Sequence, residues 1–210
     1  MSDDHIALRD GLARMLDQTG EFKVTGTAAN GKDTKAAFES GVQADVLILD
    51  INMPGMDGYE TAEWMKQNKP AVNILVYSMY NTQVSLIRLL QMGIKGVLKK
   101  DTSVETLYEA IRTVADGNHY YGEKASGTLA AFFEKDENGI SAMDRGAVTE
   151  EEIAFIKLAA TDMTYKEIAD KMGLTLSKCE VLRSNLFEKL QVTSRVGLAI
   201  EGVKSGIVKF

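Results

Sequence analysis

The sequence predicts an α/β domain built on a doubly wound parallel sheet, followed by a smaller all-helical domain. In the first half, helix-like spacings of three and four alternate with short β-branched or leucine-rich runs, the pattern of parallel strands joined by helical crossovers. From Val148 onward every segment reads as helix, in pieces too short to stand alone. The polar, glycine-containing stretch from Glu134 to Gly146 separates the two halves and reads as linker.

Taken in order, the spacing predicts a helix from Ile6 to Asp17, with Leu8, Leu12, Met15 and Leu16 on one side. Phe22 to Gly26 reads as a strand and Gly31 to Ser40 as helix. The run from Asp45 to Leu49 is apolar after its first residue, as a strand buried on both faces should be, and it ends in Asp50. Helix Tyr59 to Asn68, strand Asn73 to Tyr77, helix Gln83 to Met92, strand Gly96 to Leu98 and helix Ser103 to Ala115 continue the alternation. After Gly117 it breaks into a linker with one short helix, in which Leu129, Phe132 and Phe133 are candidates to dock on a neighbour. Helices Tyr165 to Met172 and Leu176 to Leu190 flank Gly173 at the spacing of a helix-turn-helix.

Composition narrows the function classes. A chain of 210 residues holds one large or two small domains. Its net charge of −6 argues against nucleic-acid binding over the whole surface, so any DNA contact must be local. Cys179 is the only cysteine, which excludes an internal disulfide and any Cys-based metal cluster. No apolar run approaches the ~18 residues of a membrane span, and the polar start Met1 to His5 is no signal peptide, so a cytoplasmic protein is expected.

In a parallel α/β sheet, ligands sit beyond the carboxyl ends of the strands. Here Asp3 and Asp4 lie at the start, Asp50 and Ser78 end two strands, and Lys100 follows a third. Carboxylates, a hydroxyl and an ammonium should therefore meet at one edge. A Mg²⁺ ion wants oxygen ligands, which Asp4, Asp50 and the backbone carbonyl of Asn52 can supply, with Asp3 acting through water. Asp50 is then placed to attack a phosphoryl group whose oxygens Ser78 and Lys100 would hydrogen-bond and neutralise.

The string Asp50-Ile-Asn-Met-Pro-Gly-Met-Asp-Gly58, the acidic pair Asp3 and Asp4, Ser78 and Lys100 resemble the phospho-acceptor set of response-regulator receiver domains over roughly residues 2 to 117. That resemblance implies a flavodoxin-like sheet of order 2-1-3-4-5, Mg²⁺ as cofactor and a sensor histidine kinase as partner. Two departures stand out. Receivers begin with an apolar strand before the acidic pair, whereas this chain offers only Met1 and Ser2, so the first strand is expected to be missing. A shortened start, an atypical receiver with a rearranged sheet, and a strand lent by another chain all fit. The second departure is Val97, where the family usually carries an aromatic switch residue. Tyr80 stands two residues after Ser78, as Asn52 stands two after Asp50, and a bulky ring there should shield a phospho-aspartate from water.

The segments Val148-Thr-Glu-Glu-Glu152, Thr164-Tyr-Lys-Glu-Ile-Ala169, Leu174-Thr175 and Asn185-Leu-Phe-Glu-Lys-Leu-Gln-Val192 resemble the LuxR-type helix-turn-helix of NarL/FixJ response regulators. Thr149 and Thr164 are placed as N-caps, and Ile168, Ala169 and Met172 should pack on Leu182, Leu186 and Leu190. The resemblance assigns recognition to the helix from Leu176. Thr175, Ser177, Lys178, Glu180, Val181, Arg183 and Ser184 are then the residues offered to the major groove, with Lys189 and Arg195 on phosphates. Cys179 is expected as a small packed side chain.

Domains are thus expected at 1–117, 118–146 for the linker, and 147–210. The implied function is transcriptional control of a promoter by a regulator that Asp50 phosphorylation drives to dimerise. A protein-binding or phosphate-sink regulator is the main rival. An aspartate-nucleophile phosphatase is the other, but such enzymes place a second aspartate as general acid where this chain has Asn52, which has no proton to give in that role.

Overall fold

The computed structural model describes residues 1–79, 83–121, 148–205 and 207–208, which divide into two compact units. The first holds residues 1–79 and 89–121; the second groups residues 148–208 with 83–88. No helix among the described residues is long and apolar enough to cross a membrane.

The first unit carries a four-stranded, wholly parallel sheet of β1 (Val46–Leu49), β2 (Asn73–Ser78), β3 (Gly96–Lys99) and β4 (Tyr120–Tyr121), in that spatial order. Its crossover helices are α1 (Ile6–Gln18), α2 (Gly31–Glu39), α3 (Gly58–Asn68) and α5 (Val104–Ala115), and of α4 (Gln83–Gln91) residues 89–91 fall in this unit. Strand side chains alternate between faces. Ile48, Leu75, Tyr77 and Leu98 therefore share one face and pack with Leu12 and Leu16 of α1 and Leu107, Ala110, Ile111 and Val114 of α5. Helix α3 starts with a capping box, in which Asp57 and Glu60 satisfy each other's backbone N–H.

One expectation needs correction. Phe22 to Gly26 forms no strand. Its polar groups turn elsewhere: the Val24 N–H donates to Asp17 Oδ1 at 2.7 Å, and the Thr25 hydroxyl donates to Gln43 O at 2.9 Å. As expected, no strand of the sheet precedes the acidic pair, and only isolated bridges stand in its place. Ser2 bridges both Ala28 and Leu49 in parallel sense, with Ser2 N–H on Ile48 O at 2.8 Å and Asp50 N–H on Ser2 O at 2.9 Å. On the other side Asp3 N–H reaches Ala28 O at 3.0 Å, Ala28 N–H reaches Met1 O, and the Met1 amine donates to Gly26 O. Three residues thus keep the carboxyl end of a strand in place. Burial of the Met1 ammonium pulls its pKa down to about 6.

The second unit packs α6 (Glu150–Ala159), α7 (Tyr165–Met172), α8 (Leu176–Lys189) and α9 (Arg195–Lys204) around Ile153, Phe155, Ile156, Ile168, Ala169, Cys179, Leu186 and Leu198. Met172, Leu182 and Leu190 close this core from its margin, as their spacing predicts. Thr149 and Thr164 both form full capping boxes, with Glu152 and Glu167. Gly173 ends α7 in the left-handed region, at φ 68°, where a side chain would be strained, and Thr175 caps α8 two residues later. The short linker helix expected after Gly117, with Leu129, Phe132 and Phe133, lies outside the described residues.

Candidate functional site

Three strand ends and the chain start converge at one edge of the sheet. Asp50 leaves β1, Ser78 ends β2, Lys100 follows β3, and the segment bridged at Ser2 delivers Asp3 and Asp4. Hydrogen bonds fix that convergence: Asp50 N–H is tied to Ser2 O, and Lys100 N–H donates to Ser78 O at 3.1 Å. The Tyr77 hydroxyl adds a bond to Lys100 O at 3.3 Å.

Lys100 is the centre of the site. Its Nζ lies 2.7 Å from Asp50 Oδ2 and 2.8 Å from Asp3 Oδ2, and the three side chains are 3%, 3% and 2% exposed. Burial alone would lower the ammonium pKa, but hydrogen bonds and charge from Asp3 and Asp50 outweigh it and hold the group above the usual lysine value. Two carboxylates and one ammonium leave a net negative, cation-seeking pocket. Asp4 stands at its mouth, with a third of its side chain exposed.

Ligand atoms of Asp3, Asp4, His5 and Asp50 lie within 4.8 Å of one another. This donor set, mostly carboxylate oxygen, fits a hard divalent cation. Ser78 is wholly buried at the end of β2, and among the described residues its Oγ has no hydrogen-bond partner. Asn52 is exposed in the loop after Asp50. Gly58 packs so closely beneath this loop that a Cβ would stand 2.3 Å from Asp50 O. The glycine is part of the Asp50 to Gly58 string, but nothing in the string alone reveals the close approach. His5 lies beside the pocket, its Nδ1 2.9 Å from Asp4 Oδ1 and 3.2 Å from Asp3 Oδ1. Val97 is buried in β3, and Tyr80 lies outside the described residues.

In the second unit, Ser177, Lys178, Glu180, Val181 and Ser184 line an exposed face of α8, with Val181 57% exposed. Thr175 accepts the Lys178 N–H as N-cap, and Ser184 donates to Glu180 O. Arg183 lies over the Tyr165 ring, 4.9 Å from its centre. Two predicted phosphate contacts are instead engaged within the domain. Lys189 Nζ donates to both Glu152 oxygens at 2.9 and 2.8 Å, while Arg195 donates to Ala159 O and Thr161 O at the end of α6, both at 2.8 Å. Cys179 is buried, its thiol pushed up by that burial.

Residues 1–112 match the family described as the response regulator receiver domain, and residues 147–201 match bacterial regulatory proteins of the luxR family. The chain is 30% identical over 198 residues to the nitrate/nitrite response regulator protein NarL of Escherichia coli (strain K12), covering 94% of this chain and 91% of that protein. It is 31% identical over 207 residues to the response regulator GacA of Pseudomonas aeruginosa, covering 98% and 95%. Among solved structures, the fold resembles RcsB in a complex with DNA, with a TM-score of 0.68, 23% identity and coverage of 97% and 96%. RcsB from Salmonella enterica serovar Typhimurium, bound to promoter rprA in the presence of the phosphomimetic BeF3-, gives a TM-score of 0.66 at 22% identity, covering 98% and 96%.

Proposed function

This chain belongs to the response regulators, with a receiver domain and a LuxR-type helix-turn-helix of the NarL/FixJ subfamily, and from that premise we infer that it is a DNA-binding two-component regulator switched by phosphorylation of Asp50. It acts as a transcription regulator rather than an enzyme. The receiver is assigned to residues 1–117, the linker to 118–146 and the DNA-binding domain to 147–210. The chain acts in the cytoplasm, and a sensor histidine kinase is the donor.

The observation that carries this reading is the contact of Asp50 Oδ2 with Lys100 Nζ at 2.7 Å, in a buried cluster that also holds Asp3, with Ser78 buried at the end of the neighbouring β2. The Asp50 carboxylate attacks phosphorus of the kinase phosphohistidine, a P–O bond forms as the P–N bond breaks, and the imidazole leaves with the electron pair. Ser78 and Lys100 then bond the phosphoryl oxygens, the ammonium exchanging part of its carboxylate contact for phosphate. Mg²⁺ would be held by Asp4, Asp50 and the Asn52 carbonyl, with Asp3 through water, and when bound it offsets repulsion between these carboxylates and the incoming phosphate. The added charge shifts a two-state receiver toward a homodimer, which presents two recognition helices to promoter half-sites. With Val97 in place of an aromatic residue, that shift does not run through a ring on β3.

Thr175, Ser177, Lys178, Glu180, Val181, Arg183 and Ser184 are the proposed DNA-reading residues, and Lys189 and Arg195 reach phosphates only by giving up bonds inside the domain. That engagement, with acidic Glu180 on the exposed face, favours one second reading: a regulator whose helical domain binds protein rather than DNA. Acetyl phosphate with Mg²⁺ tests both. The expected result is a phosphate adduct in the intact mass, a larger dimer fraction and salt-dependent promoter binding, all lost in Asp50→Ala. An adduct with dimerisation but no salt-dependent DNA binding selects the second reading, and no adduct overturns both.

A further inference from the structure

Helix α1 begins at Ile6, and His5 just before it holds the capping position without using it: the imidazole makes no bond to the first turn. The ring is turned toward the phospho-acceptor edge instead. Its Nδ1 stands 3.2 Å from Asp3 Oδ1 and 2.9 Å from Asp4 Oδ1. The main chain holds it there, because the His5 N–H donates to Asp3 Oδ1 at 2.9 Å while Asp3 Oδ2 is anchored by Lys100 at 2.8 Å. Ring placement thus follows from the same buried carboxylate that pairs with the lysine.

Two features of this corner point to a metal ligand rather than to a simple ion pair. The His5 side chain is 64% exposed, and a paired charge so open to water adds little stability. Asp4 Oδ1 is buried yet accepts no hydrogen bond among the described residues, although the imidazole nitrogen lies only 2.9 Å away. A ring nitrogen and an unmatched carboxylate oxygen side by side are two lone-pair donors that one cation satisfies together. Ligand atoms of Asp3 and Asp50 lie within 4.8 Å of both, and among the described residues no other group of three or more histidine, cysteine, aspartate and glutamate side chains gathers in this way.

We propose that His5 Nδ1 is a ligand of the metal at this edge, which makes the site a mixed nitrogen and oxygen one that takes a first-row transition-metal divalent ion in preference to Mg²⁺. The proposal rests on reading the edge as a divalent-cation site, and it adds the class of ion that the edge selects. Mg²⁺ is hard, keeps to oxygen donors and gains little from a ring nitrogen, whereas Fe²⁺, Co²⁺, Ni²⁺ and Zn²⁺ bind imidazole well.

The test uses the full chain without an affinity tag, titrated with Co²⁺ and with Mg²⁺ by calorimetry. Co²⁺ is expected to bind at one site and to displace Mg²⁺ from it. His5→Ala should weaken Co²⁺ binding by about tenfold or more and change Mg²⁺ binding by less than about twofold. In proton NMR of the Co²⁺-loaded native chain, the ring signals of one histidine should move far outside the diamagnetic range, and they should persist in His119→Ala. That signature is read on the native ring, so it decides the point whatever the stability of His5→Ala. Mg²⁺ binding without a shifted histidine, shifted signals that belong to His119, or equal weakening of both ions in His5→Ala overturns the proposal and leaves the cation site standing. Failure of both ions to bind overturns the cation reading as well. Phosphate-adduct formation on Asp50 with acetyl phosphate and Mg²⁺, followed in the same samples, separates failure here from failure of the phosphorylation reading.

Discussion

Lys100 does two jobs that substitutions can separate. As a buried counter-ion it lies between Asp3 and Asp50, so replacing it leaves two carboxylates out of water without a cation. Lys100→Met should cost about 3 kcal/mol or more of unfolding free energy, read from urea denaturation at neutral pH. Asp4→Asn makes the control, because its side chain is a third exposed and its loss should cost under about 1 kcal/mol while weakening Mg²⁺ binding in calorimetry. A Lys100→Met protein as stable as the native one would mean that the ion pairs stabilise nothing. Gly58 bears on the same loop from below. A Cβ there meets Asp50 O at 2.3 Å and Ile51 Cα at 2.6 Å, both backbone, and no rotamer change relieves that. Gly58→Ala should therefore cost about 1–3 kcal/mol and slow phosphate uptake by Asp50, the first measured by denaturation and the second by intact mass over time.

At the scale of elements, the helical domain divides its polar residues between holding and presenting. Thr164 caps α7 with Glu167, and Thr164→Ala should lower stability by about 1 kcal/mol. Lys189 and Lys178 differ in the same way: the first is committed to Glu152, the second is exposed on α8. Under the DNA-binding reading, Lys178→Ala should flatten the dependence of log affinity on log salt by about 0.9, the change expected when one fewer DNA phosphate is neutralised, and leave the melting temperature unaltered. Lys189→Met should instead lower the melting temperature and leave that slope nearly unchanged. Sequence spacing made the boundaries of α7 and α8 legible because caps, glycine and period all coincide there. It made the phospho-acceptor edge legible because strand ends carry their reactive residues in order. The sequence does not show that Lys189 and Arg195 are engaged, since their partners lie 34 to 37 residues away along the chain. Nor does it show that Phe22 to Gly26 forms no strand: the local pattern is sound, and the bonds that Val24 and Thr25 make to Asp17 and Gln43 are not visible in it. Strand β4, two residues long, is too short for any period to reveal.

For the receiver as a whole, the chain start is both a structural joint and a liability. Met1 to Asp3 joins residues 26–28 to β1 and delivers Asp3 to Lys100, and the amine at its start is buried. That burial gives stability a pH dependence with a definite sign. The amine pKa is about 6 in the folded chain against 8.0 for an ordinary one, so between those values the unfolded chain holds a proton that the folded chain does not. Stability must then rise with pH across this window, being fully penalised below about pH 6 and free of the penalty above about pH 8. A shift of that size corresponds to about 2–3 kcal/mol. Urea denaturation from pH 5.5 to 8.5 with chelator present should show the increase in the native chain. A variant extended by six residues ahead of Met1 should lack it, because an amide there donates the same hydrogen bond to Gly26 without a charge to desolvate. Equal slopes in the two proteins would mean that the amine is solvated and that the chain start does not hold the joint described here.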